Sequence, residues 1–308
     1  MILELGADAE EYGRAALRAF DAAGGDELAV RADADPAVRD ELVAPVLRGL
    51  GAFDLKPRAD ADELEAAAAL CRSAGYWALP YPVAECLSVP ADLDDLDVHG
   101  LIVVADHAPA GAVAGLSKRW AAVTAAGVRS MAVAHPAAGP GLVAELTLTE
   151  IDTEGADDVA LALALGCWTL LGMLDRALDL TKDHVRLREQ FGQPLAKFQG
   201  VQFQLTDAEV ERAGLDMLAK YALWSTATAR PEAVDDALAL RSAALEAADV
   251  VFRVCHQLHG AVGFCDETAL SWLSRYSQPL RRLPWGLSAT RQLLVERAGR
   301  TGLTGLYA

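Results

Sequence analysis

Positive charge is what this chain has least of. Its 308 residues carry 27 Lys and Arg against 44 Asp and Glu, a net charge of −17, and only five of the cations are lysine. Sequence-independent nucleic-acid binding needs a basic footprint, so that class is excluded. The same deficit means that any site for an anion has to be locally basic. Cysteine is also scarce. Cys71, Cys86, Cys167, Cys255 and Cys265 form no C-x-x-C pair and no metal-ligand spacing. Several sit in apolar contexts and are predicted to be buried free thiols, and an odd count with no secretion signal suits a reducing cytoplasm. The longest uncharged stretch in the helical part, Val159 to Leu174, is 16 residues. That falls short of the ~20 needed to span a bilayer and predicts a buried helix, with no membrane partner. Internal repeats and low-complexity linkers are absent as well.

Hydrophobic residues make up 53% of the chain, which excludes wholesale disorder and leaves enough for a large core. A chain of this length buries roughly 75% of its unfolded surface, in two or three packed units. The first 95 residues read as helices. Ala9–Ala23 closes at Gly24-Gly25, Pro36–Leu50 closes at Gly51, and Asp60–Ser73 has acids at its start and Gly75 placed as its stop. Between 96 and 153 the pattern turns to short β-prone runs: 101–105, 120–124, 130–134 and 145–151, punctuated by Gly111, Gly127, Gly139 and Gly141. From 154 to 308 it is helical again: 157–189, 197–229, 231–258, 268–282 and 287–300, with Pro279 expected to end or kink the fourth early.

Two segments stand out from this background. Arg188-Glu189-Gln190-Phe191-Gly192, followed by Phe198-Gln199, ends one long helical pattern with an arginine beside a glycine turn. Gln257-Leu258-His259-Gly260-Ala261-Val262-Gly263-Phe264 ends another. Arginine suits a diphosphate because its planar fork bonds two oxygens at once and stays charged. Glycine lets a backbone approach a ligand closely. His184, His256 and His259 lack a further ligand at metal spacing, and no metal is predicted.

Together these segments resemble the R-x-x-F-G and Q-x-x-G-G-x-G-[YF] motifs of the acyl-CoA dehydrogenase family, with Ala261 in place of the second motif glycine. The phrases Leu47–Gly51 and Ala74–Pro82 resemble that family's N-terminal domain. The resemblance implies a mainly α fold: an N-terminal helical domain (1–95), a reduced middle β domain (96–153) and a C-terminal four-helix bundle (154–308). It implies FAD as cofactor, with Arg188 on the diphosphate and Gln190 and Phe191 lining it. Phe198 is expected at the adenine and Gln257 at the adenine or ribose, while Gly260, Ala261 and Gly263 form a wall open to the ligand. In the family these segments serve the flavin of a neighbouring subunit. The substrate class implied is an acyl-CoA thioester, with electrons passing to an electron-transfer flavoprotein.

The family's α-proton base is a glutamate at one of two positions, and neither carries an acid here. One reads Leu283-Pro284-Trp285-Gly286-Leu287-Ser288, the other Leu161-Ala162-Leu163-Ala164. The shortened β unit keeps Trp120 and Thr124 but lacks the family's flavin-ring motifs. No catalytic residue is therefore assigned. The resemblance is to the short, base-lacking subunit of α2β2 steroid-degrading acyl-CoA dehydrogenases, which would complete the FAD site of a second, catalytic subunit. Two alternatives stand beside it: a self-sufficient homo-oligomer using Glu154, Asp157 or Asp158 as base, and a non-enzymatic helical interaction protein. Glu267 is expected to pair with Arg275 or Arg282.

Overall fold

The computed structural model describes residues 4–135 and 141–301; Gly139 lies outside them. Helices α1 (Ala7–Ala22), α2 (Asp26–Ala34), α3 (Arg39–Gly49), α4 (Ala61–Tyr76) and α5 (Val83–Cys86) build the N-terminal part. Asp60 caps α4, its carboxylate accepting from the N–H groups of Asp62 and Glu63. Gly51, at φ 68°, stops α3's exit as expected. The short α2, which buries Leu28, Ala29 and Ala32, is not evident from periodicity.

Gly75 corrects the sequence expectation. It lies inside α4 rather than past its end, because α4 crosses α6 (Asp158–Leu187) there with backbones nearly touching. A Cβ on Gly75 would sit 1.8 Å from the Thr169 carbonyl oxygen, and one on Gly172 would sit 1.8 Å from that of Arg72. The two glycines answer each other across the crossing. Gly172→Ala is expected to destabilise the chain by about 1–3 kcal/mol, the usual cost of overpacking. A urea midpoint equal to the parent's would show that the helices part freely.

Strands β1 (Gly100–Val104), β2 (Ala110–Gly111), β3 (Trp120–Thr124), β4 (Val128–Ala134) and β5 (Ala144–Glu154) form one sheet in the order β1-β3-β4-β5-β2. Only the β1–β3 pairing is parallel. Trp120 is fully buried beneath it. Arg39 ties helices to sheet, donating from a buried position to the carbonyls of Pro80, Ala112 and Ala114. Burial pushes its pKa down to about 10.

The C-terminal part is α6, a hairpin of β6 (Glu189–Gln190) and β7 (Gln193–Pro194), then α7 (Gln199–Ala227), α8 (Ala233–His259), α9 (Ala269–Arg282) and α10 (Leu287–Thr301). Helices α6, α7 and α8 pack side by side, α9 lies on α6 and α8, and α10 lies on α8. The apolar window of α6 is 78% buried, with Trp168 at its centre, as the run of 16 residues predicts. Pro279 does not end α9 early. The helix continues to Arg282, where Leu283 N–H closes the last turn on the Pro279 carbonyl at 2.8 Å.

Candidate functional site

Helix α6 stops at Leu187 because Arg188 takes an extended conformation, its N–H donating to the His184 carbonyl at 2.8 Å. The Arg188 carbonyl then accepts from Leu195 N–H at 2.8 Å, closing the base of the hairpin. Both central residues of the turn have positive φ, Phe191 at 54° and Gly192 at 80°. That is the backbone of a two-residue hairpin turn, natural for glycine and strained for phenylalanine. The Phe191 ring is 92% exposed and meets Phe198 edge-on at 6.2 Å. Holding a bulky residue there costs on the order of 1–3 kcal/mol, and no burial within this chain repays it.

The second motif caps α8. Gly260 adopts φ 63°, ψ −145°, a conformation open to glycine, and an added Cβ would meet nothing within 4 Å. Gly263 differs from expectation. A Cβ there would lie 2.8 Å from the His259 Cβ, so its glycine serves internal packing rather than an approaching ligand. Gln257 and Ala261 are exposed. The motifs meet through histidines. His184 stacks on His259 with centroids 4.3 Å apart, and His256 stacks on Phe264 at 4.3 Å. His259 Nδ1 donates to the Cys255 carbonyl at 2.9 Å, which fixes its tautomer. The structure therefore brings Arg188, Gln190, Phe191 and Phe198 to the same end of the bundle as Gln257, Gly260 and Ala261.

The electrostatics of that end favour an anion only in part. The C-termini of α6 and α8 present negative poles there, but α7 begins beside them, its N-cap Phe198 offering no side-chain cap. The N–H groups of Gln199 and Gly200 open α7 ahead of the first turn bond, which Val201 N–H makes to the Phe198 carbonyl at 3.0 Å, as at anion-binding helix starts. Arg188 is exposed and, among the described residues, forms no ion pair; the neighbouring Arg186 takes Asp183 at 3.3 Å.

Burial holds the pKa of His184, His256 and His259 below the ordinary 6.5, with Arg188 adding to the effect at His184. The unfolded chain therefore binds more protons below that value. Stability contributed by the three neutral rings is full above about pH 6.5 and is lost as pH falls below it. Urea midpoints should drop between pH 7.5 and 5.5, and less so in His259→Gln; an identical drop in that variant would place the effect elsewhere.

The other end of the expected site is closed. Leu161, Leu163 and Ala164 are buried in the core. The 283–288 loop is held by Arg241, which donates to the carbonyls of Leu280 (3.2 Å), Leu283 (2.6 Å) and Trp285 (2.7 Å). Between these positions and β1 lies a space of only about 60 Å³, reaching Leu163, Gly166, Ile102 and Pro284. Ligand pockets run from roughly 300 Å³ upward. Glu85 is the one acid in its lining, with its carboxyl pushed up by burial. Sequence reasoning missed Glu85; its signal was a single acid in the apolar stretch from Pro80 to Leu87.

Asp158 is not a free acid. It is buried between Arg129 (2.7 Å) and Arg58 (3.1 Å), and Arg129 also reaches Asp92 at 2.5 Å. Glu154 and Asp157 are exposed. The pairing expected of Glu267 is not formed: Arg275 binds Asp266 instead, at 2.8 Å. All five cysteines are free, with Cys71, Cys167 and Cys255 buried and Cys265 exposed. Among the described residues no group of three potential metal ligands gathers.

A helical bundle carrying these two motifs after a small sheet defines a flavoenzyme class. Residues 162–296 match the family model described as acyl-CoA dehydrogenase, C-terminal domain, and that C-terminal part of the chain belongs to the acyl-CoA dehydrogenase family. Acyl-CoA dehydrogenase FadE28 of Mycobacterium tuberculosis is 31% identical over 154 residues, 50% of this chain and 44% of that protein. The chain thus matches less than half the length of that relative. The same fold extends over the whole chain. The ChsE4-ChsE5 complex from Mycobacterium tuberculosis superposes with a TM-score of 0.78 at 19% identity, covering 99% of this chain and 100% of the other. The Tcur3481-Tcur3483 steroid ACAD gives 0.76 at 20% identity, covering 96% and 100%.

Proposed function

We propose that this chain is a subunit of an FAD-dependent acyl-CoA dehydrogenase that completes the flavin site of a second, catalytic subunit in an α2β2 assembly. The observation that carries the reading is an asymmetry. The dinucleotide motifs stand exposed and gathered at one end of the bundle, while the ring-and-base position is filled to about 60 Å³. A half-site that faces outward fits a cofactor seated mainly in another chain. FAD, when bound, supplies the hydride acceptor for α,β-dehydrogenation of a CoA thioester. On this side Arg188 and the start of α7 would bind the diphosphate, Gln190 and Phe191 would flank it, and Gln257 and Phe198 would meet the adenosine. The proton-abstracting carboxylate would belong to the partner. The steroid ACAD likeness supports a bulky, sterol-derived thioester as substrate, the family resemblance an electron-transfer flavoprotein as acceptor, and the odd set of free cysteines a cytoplasmic setting.

A second reading, a self-sufficient enzyme, rests on Glu85, a half-buried carboxyl whose pKa desolvation raises, beside the closed position. The test is the flavin absorbance spectrum of the chain purified alone and after co-expression with an adjacent-encoded dehydrogenase subunit. Flavin only with the partner is the expected result. A yellow isolated chain with turnover that Glu85→Gln abolishes would establish the second reading instead.

A further inference from the structure

A cavity of about 440 Å³ lies among α3, the 52–59 segment, α5 and the residues leading into β1. It shares no lining residue with the 60 Å³ space or with the two dinucleotide motifs. One wall is aromatic: Phe53 lies 5.7 Å from the His99 ring and 6.5 Å from the Tyr81 ring. Behind it runs a closed polar chain. Lys118 Nζ pairs with Asp40 at 3.0 Å, and the Tyr81 hydroxyl lies 2.9 Å from Asp40 and 2.8 Å from His99 Nε2. Burial alone would raise Asp40, but its bonds from Lys118 and Tyr81 hold it low and ionised. Tyr81 has one proton, which goes to that carboxylate, so His99 Nε2 donates to the Tyr81 oxygen. These contacts tie Lys118, Asp40, Tyr81 and His99 into one connected wall.

What is left over is positive charge. Four cations, Arg48, Lys56, Arg58 and Lys118, line the cavity against two carboxylates, Asp40 and Asp94. Arg58 is engaged by Asp158 at 3.1 Å and the Ser88 carbonyl at 2.9 Å, and Lys118 by Asp40. Arg48 and Lys56 form no ion pair among the described residues, and both are exposed. In a chain where acids outnumber bases 44 to 27, this reverses the bulk pattern. The volume lies within the roughly 300–1,000 Å³ of small-molecule sites, which pair an apolar lining with a few convergent charges. Cys86 also lines the cavity, but burial first and the nearby Glu85 charge push its thiol up, so it is no nucleophile.

We propose that this cavity binds a small amphipathic organic anion, its carboxylate or phosphate held by Arg48 and Lys56 and its apolar or planar body lying on Phe53, Leu55 and Val98. The assignment is independent of the flavin half-site. Isothermal titration of the full chain at low salt with octanoate, adenosine monophosphate and inorganic phosphate tests it. At least one of the two organic anions should bind, more tightly than inorganic phosphate. Octanoate alone would identify an aliphatic carboxylate, and the nucleotide alone a planar phosphate. Arg48→Gln and Lys56→Gln, made singly and together, should weaken binding about ten-fold or more in the double variant, with unchanged melting. Arg188→Ala should bind as the parent does. The proposal is overturned if no probe binds, if inorganic phosphate binds as tightly as the organic anions, or if all three charge variants bind like the parent.

Discussion

Arg188→Ala should strip FAD from the co-expressed complex and leave the chain folded. A charge-assisted, two-pronged contact to a diphosphate is worth about 1.5–3 kcal/mol, which corresponds to roughly 10- to 100-fold weaker retention. Folding should be untouched, because Arg188 is exposed and makes no ion pair among the described residues. Arg188→Lys separates charge from shape: it keeps the cation and loses the fork, so retention should fall between parent and alanine. The measurement is the flavin-to-protein ratio after gel filtration, beside a melting curve. An unchanged ratio in Arg188→Ala would sink the assignment of the first motif.

Asp158→Asn has the largest stability effect expected. The carboxylate is 2% exposed and is held by two arginines, Arg129 at 2.7 Å and Arg58 at 3.1 Å. Removing one charge from a buried cluster leaves the others uncompensated, at a cost of about 3–5 kcal/mol. Denaturant unfolding measures it, with turnover of the assembled enzyme recorded alongside. A structural ion cluster predicts lower stability with turnover per folded molecule preserved. Full stability with lost turnover would instead make Asp158 the base of a self-sufficient enzyme.

Much of this molecule is legible in its sequence, for identifiable reasons. Helices α4 and α6 to α10 announce themselves because their apolar faces repeat over many turns. The two motif segments stand out because a glycine turn after a helix needs particular residues, and their reading as dinucleotide-binding rests on the family resemblance. Gly75 was misplaced because a glycine that ends a helix and one that admits another helix look alike; only the Thr169 carbonyl 1.8 Å from its would-be Cβ tells them apart. Gly263 hid its purpose in the same way, behind the His259 side chain. At Pro279 local propensity predicts an early end, whereas α9 runs on to Arg282. Glu85 escaped notice because its peculiarity, a carboxyl whose pKa burial raises, exists only once α6 and the sheet close around it. The narrowness of the 60 Å³ space is not readable from sequence, since its lining comes from α5, β1, β2, α6, α8 and α9, elements distant along the chain.

The hairpin has a consequence for dosage. Phe191, Leu187 and Phe264 stand 92%, 83% and 67% exposed, so the chain by itself offers sticky aromatic and leucine surface to whatever it meets. The charge of −17 sets copies of the chain apart from one another, but it does nothing against a neutral apolar patch on some other molecule. On the proposed two-subunit reading, such a protein is best made in step with a subunit that covers this end, and an excess of the chain over that subunit should be cleared by proteolysis faster than the assembled pair.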